Sequence, residues 1–433
     1  FPPGAFRAHT AVADRRTAML GRPPFGSMFF IRGSQSTSRS ESETVSNCRK
    51  FRPPGTPRLK VSADQNDKAH VMELGFFTMP LHPADRPLIE TLNEDREAFI
   101  LADELGFSEA YMGEHVTDAF EPVPNSMMFL CWIARAIKNM TLATGTVNLG
   151  HHHPAALAAE AAMLDHMLEG RFMLGVSPGN LPTDSEVFGT LDIDRNEKFI
   201  EVLSQVIEIW TTDPPYDIKG KYNSISTVKH YHEGLGQGVI LKPYQKPTPP
   251  IFGTVVAPFS KGIIGLGERD WIPVSANFLQ PKWVATHWPN YADGHANAGR
   301  DADPAAWRVA RSIFVADNDK VAEEYGKGPQ SPYRFYFYQL GSKLKNGGKL
   351  GLFKLERDQP DEEITDDFMV DSLVIAGSVN RVVDEILAFR EEVGDFGTLV
   401  YAGHDWVDAT LGKRSMELMA TEVMPRVNAA IGV

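Results

Sequence analysis

Residues 141–184 read TLATGTVNLGHHHPAALAAEAAMLDHMLEGRFMLGVSPGNLPTD. The first nine are β-branched and apolar and lead to a Gly, which suits a buried strand. Pro154 then opens an Ala/Leu/Met-rich run to residue 168 that is helical by propensity, carries Pro in its first turn and is stopped by Gly170. Residues 171–176 form a second short apolar run, bounded by Ser177, Pro178 and Gly179. A strand, a helix and a second strand in so short a span make a right-handed parallel crossover unit. The loops that follow the strands of such units are where ligands sit, which singles out 150–153 and 177–184.

The same alternation continues on both sides. Towards the N-terminus, 72–77 reads as a strand, 92–105 as a helix ended by Gly106, 108–113 as a second strand and 126–138 as a helix. Towards the C-terminus come a long amphipathic helix over 193–210, a strand over 250–256, a short helix over 260–266, a strand over 271–274 and a helix over 281–298. Strands over 307–316 and 398–402 and helices over 379–393 and 414–431 complete the series. Two segments do not fit it. Residues 213–248 are rich in Pro, Gly, Tyr and Lys, and 318–368 include the aromatic run YRFYFYQL at 333–340, more than a barrel helix needs. About eight alternations in one chain predict an α/β fold, a (β/α)8 TIM barrel with insertions after strands 4 and 7, the second capping the site. A doubly wound open sheet is the alternative, but no Gly-x-Gly-x-x-Gly follows the first strand.

Charge divides the 433-residue chain. Residues 1–71 carry 12 Lys+Arg against 5 Asp+Glu, and residues 72–433 carry 31 against 51, so a tail of +7 precedes a body of −20. A body this acidic argues against a nucleic-acid partner. The tail is rich in Pro, Ser and Arg without a sustained apolar period, so 1–71 is read as a disordered extension outside the domain, with Met72 as the natural start of a domain over 72–433. Two cysteines, Cys48 and Cys131, cannot build a disulfide framework. No run approaches the roughly 18 apolar residues of a membrane helix, so a cytoplasmic protein without a membrane partner is expected.

Three constellations carry chemistry. Glu114 and His115 stand at the end of the second strand, where a carboxylate beside an imidazole can orient or charge a group suited to proton transfer near neutral pH. A structural histidine satisfied by a neighbouring loop is the bland reading of the same residues. His151, His152 and His153 invite a metal, with His115 or Glu114 completing the set of a barrel hydrolase. Against it stands a polar loop in which His153 caps the following helix, and the spacing of a known zinc site is missing. Ser260, Lys261 and Gly262 begin a helix after a strand, a place suited to phosphate, or else a plain N-cap by Ser260.

Taken together, GFSEAYMGEHVTD at 106–118, the stretch 142–184, PPIFGTV with the following SKG at 249–262, and VIAGSVNRVVDEI at 374–386 resemble the bacterial luciferase-like flavin monooxygenases. The likeness extends from Met72 to about residue 431 and is strongest to the limonene and alkanal monooxygenase-like branch. It implies a TIM barrel that uses reduced FMN and O2 to oxygenate a small, apolar organic substrate through a flavin C4a-peroxide. It also implies a separate NAD(P)H:flavin reductase as partner, and a homodimer formed through the helices over 126–138 and 154–168. By resemblance His115 is the catalytic acid/base or peroxide-stabilising group, with Glu114 beside it. Gly145 and Thr146 lie under the flavin ring, often joined by a non-proline cis bond in the family, Ser177 faces the ring, and Ser260, Lys261 and Gly262 hold the phosphate. One departure is Pro178, where luciferase has an Arg that helps to bind phosphate. A deazaflavin-dependent oxidoreductase on the same fold is the nearest alternative function.

Overall fold

The computed structural model describes residues 70–433. The basic extension expected over 1–71 therefore falls, except for its last two residues, outside the described residues. Within them, eight parallel strands close on themselves. They are β1 (Glu73–Thr78), β2 (Glu109–Met112), β3 (Thr141–Thr144), β4 (Phe172–Ser177), β5 (Ile251–Val255), β6 (Ile272–Ser275), β7 (Arg308–Ala316) and β8 (Thr398–Gly403). Each pairs with the next, and β8 pairs with β1 in register from Glu73 opposite Thr398 to Thr78 opposite Gly403. A barrel strand is buried on both faces, which is why these segments read as apolar runs rather than alternating ones.

The interior is packed side by side from every strand. Phe77, Tyr111, Ala143, Met173, Phe252, Val274, Ala310 and Val400, one from each strand, form one cluster together with Ile272, a second residue from β6. Large and small residues share this layer, and Tyr111 meets Phe252 edge to face at 5.0 Å. Gly175 shows how tight the fit is, because a Cβ there would lie 2.1 Å from both the Phe252 ring and the Thr144 carbonyl oxygen. Below the layer, buried Glu109 accepts two bonds of 3.2 Å from Arg308 and a third from the Tyr111 hydroxyl.

The helices wrap the barrel: α1 (Leu88–Glu104), α2 (Ser126–Ile133), α3 (Pro154–Met167), α4 (Pro182–Val187), α5 (Arg195–Thr211), α6 (Gly262–Arg269), α7 (Pro281–Val284) and α8 (His287–Asn297) precede β7. After it come α9 (Asp319–Lys327), α10 (Pro332–Asn346), α11 (Asp366–Leu373), α12 (Val379–Val393), α13 (Ala409–Leu418) and α14 (Met424–Ala430). Side-chain caps set many of the starts, as where Asp194 accepts from the amides of Asn196 and Glu197 and Ser331 from those of Tyr333 and Arg334.

Several expected elements are shorter or divided. The strand expected over 141–149 breaks after Thr144 at a cis Gly145–Thr146 peptide and resumes as Val147–Asn148 beside β4. The helix expected to reach 138 stops at Ile133, and the amides of Lys138, Asn139 and Met140 turn to the buried Asp103 carboxylate at 2.7 to 2.9 Å. The helix over 281–298 is two, and the closing helix includes a π-turn over Met419–Val423. A further strand, Val374–Ser378, does not follow from the sequence pattern: β7 is nine residues long, and its upper half leaves the barrel to pair with this strand.

The two insertions have different places. Residues 213–248 follow α5, not β4 itself, so they start from the base of the barrel. Their antiparallel hairpin, Asp217–Lys219 with Ser224–Ser226, runs beside α5, where Glu201 takes the amides of Lys221, Tyr222 and Asn223, and Gln245 docks on Asp165 and on the Phe172 carbonyl. These contacts place the segment beside α5 and at the start of β4. Residues 317–373 follow β7 and do reach across the mouth. Lys343 meets Glu121 after β2, Lys349 meets Asn180 after β4, and Gln280 and Trp283 after β6 bond the carbonyls of Phe353 and Lys354.

Candidate functional site

His115 sits just past the end of β2 on a loop whose backbone folds back on itself, its amide donating to the Val123 carbonyl at 3.1 Å. The ring is mostly enclosed. Its Nδ1 lies 3.1 Å from Asp184 Oδ2, so Nδ1–H donates to that carboxylate, and its Nε2 lies 3.5 Å from Glu121 Oε2. Burial alone would lower the His115 pKa. The Asp184 hydrogen bond and the two negative charges outweigh it, and His115 titrates above the ordinary imidazole value. Asp184 is held down to about 2, because the bonds from His115 and from the Thr117 hydroxyl and amide overcome its burial.

Glu114 does not touch its neighbour in the chain. Consecutive residues at a strand end point apart, and Glu114 turns inward instead. Its Oε2 accepts from the Ser126 amide and hydroxyl at 2.9 and 2.6 Å, and its Oε1 from the Asn148 amide at 3.1 Å. Burial would raise its pKa, but His152 and Ser126 hold it below the ordinary carboxylate value. The orienting role that sequence adjacency suggested for Glu114 is filled by Asp184. Glu114 ties the end of β2 to the start of α2 and to the break in β3.

That break supplies a floor. Gly145 is fully enclosed against Tyr111 and Met112, where a Cβ would come within 3.0 Å of the Tyr111 side chain. Thr144 locks the next strand from below, its hydroxyl donating to the Gly175 carbonyl and accepting from the Gly175 amide, both at 2.9 Å. Ser177 Oγ donates to Asn148 Oδ1 at 2.8 Å and accepts from the Gly179 amide at 3.3 Å. His115, Gly145–Thr146 and Ser177 thus stand at the ends of three strands that are neighbours in the barrel.

The triple histidine separates into three uses. His151 stacks on Phe188 at 4.7 Å, His152 Nε2 lies 3.9 Å from Glu114, and His153 Nδ1 accepts from the Ala155 amide at 3.3 Å, capping α3. The three rings do not converge as ligands would. Among the described residues the one metal-like grouping is His82, Glu94 and Asp405, and there the Arg86 guanidinium already bonds both carboxylates.

The start of α6 suits a phosphate. Ser260 does not cap it, and among the described residues no side chain satisfies its first amides. Lys261 and Gly262 are exposed, a Cβ on Gly262 would meet only the Ser260 hydroxyl at 3.7 Å, and Lys261 has no carboxylate partner among the described residues. Free amides with an unpaired cation are the donor set that an FMN phosphate requires.

Sequence reasoning missed Asp184, Glu121 and Lys343. Asp184 closed the loop singled out as ligand-binding, but its pairing with His115 spans 69 residues and has no local signal. The aromatic run at 333–340 is part of α10, and while its Tyr338 is exposed, Tyr333 and Tyr336 lie inward: Tyr336 donates to Asn277 Oδ1 at 3.1 Å and Tyr333 to the Ile313 carbonyl at 2.6 Å, both rings flanking His404 at 4.4 to 4.6 Å.

Comparison with known proteins bears on the family and the fold. The family model described as luciferase-like monooxygenase matches residues 72–395. The chain is 29% identical over 367 residues to 4-hydroxyprotoasukamycin monooxygenase of Streptomyces nodosus subsp. asukaensis, covering 83% of this chain and 93% of that protein. It is 26% identical over 362 residues to limonene 1,2-monooxygenase of Rhodococcus erythropolis, covering 83% and 88%. Among solved structures, the oxygenating constituent of 3,6-diketocamphane monooxygenase from Pseudomonas putida, a type II Baeyer-Villiger monooxygenase in complex with FMN, superposes with a TM-score of 0.74 at 26% identity, covering 82% of this chain and 99% of that one. The chain belongs to the luciferase-like monooxygenase family.

Proposed function

We propose that this member of the luciferase-like monooxygenase family is an oxidoreductase that uses reduced FMN and O2 to add one oxygen atom to a small, apolar organic molecule. The observation that carries the reading is the grouping of His115, Gly145–Thr146 and Ser177 on adjacent strand ends, with the uncapped start of α6 after the next strand. When bound, reduced FMN supplies the activation of O2. Gly145 lets the end of β3 press against Tyr111 and Met112 of β2, so that backbone forms the floor on which a flat ring can lie. Ser177, anchored by Asn148, presents its hydroxyl at the rim of that floor. Ser260, Lys261 and Gly262 hold the phosphate through backbone amides and one ammonium, taking over the part that Pro178 cannot play. His115 keeps its Nδ1 proton on Asp184 and is the group placed to exchange a proton with the reactants. Glu114 is a positioning residue in this scheme. Segment 317–373 covers the mouth and excludes water.

The similar Pseudomonas putida protein is an oxygenating constituent, which supports a separate NAD(P)H:flavin reductase as the source of reduced FMN. A homodimer through α2 and α3 is supported by Met128, Trp132, Met163 and Met167, which leave 71%, 47%, 57% and 40% of their surface open on those helices. No helix among the described residues is long and apolar enough to cross a membrane. The test is to supply the purified protein with a flavin reductase, NADH, FMN and air, and to screen aldehydes, monoterpenes and alkanesulfonates for oxygenated product. Product that depends on both O2 and reduced FMN supports the reading. Turnover only with a reduced deazaflavin, and without O2, refutes it.

A further inference from the structure

We propose that Glu121 is a second positioning carboxylate for His115, and that Lys343 on α10 governs it, so that the docking of the segment inserted after β7 sets how firmly His115 holds its proton. The proposal rests on the reading of His115 as the acid–base group.

Glu121 is 3% exposed, yet its Oε2 has no hydrogen-bond partner among the described residues. That orphaned oxygen is the one 3.5 Å from His115 Nε2. A buried carboxylate oxygen left without a donor is costly, so the geometry calls for a proton-bearing partner on that side, and the imidazole edge is what faces it. The other oxygen, Oε1, accepts from Lys343 Nζ at 2.6 Å, and the same ammonium pairs with Asp118. Lys343 comes from α10, 222 residues further along the chain. Beside the ion pair, Phe120 of the His115 loop packs edge to face on Phe335 of α10 at 5.9 Å. On the opposite edge of the ring, Asp184 comes from α4 in the segment after β4. Each long connection over the mouth therefore delivers one charged contact to the His115 system, Asp184 directly and Lys343 through Glu121.

The charged groups around the ring are Asp184 on α4, Glu121 and Asp118 on its own loop, Lys343 on α10, and Glu114, whose carboxylate turns to Ser126 with His152 beyond it. Two opposite effects follow. With α10 docked, Lys343 neutralises much of Glu121, and the imidazolium loses part of one stabilising charge. With α10 displaced, Glu121 acts on His115 unopposed, and the ring keeps its proton to higher pH.

The test is a pH titration of 13C-labelled histidine by NMR on the full chain without flavin or substrate, the His115 signal being identified by its loss in His115→Gln. Glu121→Gln should move the His115 pKa down by about one unit, and Lys343→Met should move it up by about half a unit, while Lys343→Arg should leave it in place. The pH profile of turnover should shift in the same directions. Asp184→Asn, predicted to lower the pKa, checks that the signal responds. If the Glu121 and Lys343 variants stay folded but move the pKa in one common direction, or not at all, the proposal fails. Because no flavin is present, opposite shifts without any oxygenation would uphold the clamp and overturn the proposed function instead.

Discussion

Single residues do most of the chemical work here through partners distant in sequence. His115 is useful because Asp184 fixes which nitrogen bears the proton, and removing that partner should cost more than removing the adjacent Glu114 charge costs proton transfer. Asp184→Asn is expected to lower kcat/KM by roughly 10²-fold while flavin affinity, followed by fluorescence quenching, changes little. An unchanged kcat/KM would remove Asp184 from the scheme. The sequence made His115 legible by its place after a strand, and the resemblance gave it a role. It could not show Asp184 or Glu121 as its partners, because carboxylates 69 residues away or buried on the same loop carry no pattern of their own. Gly175 is a purely steric case. Gly175→Ala forces a methyl group onto the Thr144 carbonyl and the Phe252 ring, and a loss of about 3 kcal/mol or failure to fold is expected in thermal denaturation.

At the scale of elements, strands and caps were the readable part. Buried parallel strands are apolar throughout, so the eight barrel strands and their order followed from composition and punctuation, whereas the helices that open on Ser331 and Thr365 lie in a segment that reads only as an insertion. What escaped was decided by tertiary pairing. The break in β3 is hidden within a run that looks like one strand, although the resemblance had pointed to a cis bond at Gly145–Thr146, and the strand Val374–Ser378 exists because β7 is long enough to offer it a partner. The end of an element can also be a site. The start of α6 is expected to hold phosphate, so Lys261→Ala should weaken FMN binding about tenfold and riboflavin binding hardly at all. Equal losses for the two flavins in equilibrium titrations would place the phosphate elsewhere.

The whole molecule is held shut where its first and last units meet. His82, on the loop after β1, lies 2.6 Å from Asp405 after β8 and 3.2 Å from Asp95 on α1, while Arg86 spans Asp405 and Glu94. Burial pulls His82 down, but the bonds to Asp405 and Asp95 more than offset it, and its pKa rises to about 9. Burial raises Asp95 and Glu94, so these carboxylates depend on His82 and Arg86 to keep their charge. A raised folded-state pKa means that the stabilisation is complete below 6.5 and is lost as pH climbs through 9. Denaturation of the full chain should therefore show a loss of about 3 kcal/mol across that window, and His82→Gln should flatten it. A pH-independent native stability between those limits would show that the seam does not titrate. At this scale too, barrel, floor, phosphate end and covering segment act together in the proposed flavin-dependent oxygenase. The most direct measurement is a single-turnover reaction of the protein loaded anaerobically with photoreduced FMN, then mixed with 18O2 and a panel of aldehydes and monoterpenes. One 18O atom is expected in the product, and none when 18O is supplied as water. Product formed without O2, or only with a reduced deazaflavin in place of FMN, would contradict this expectation.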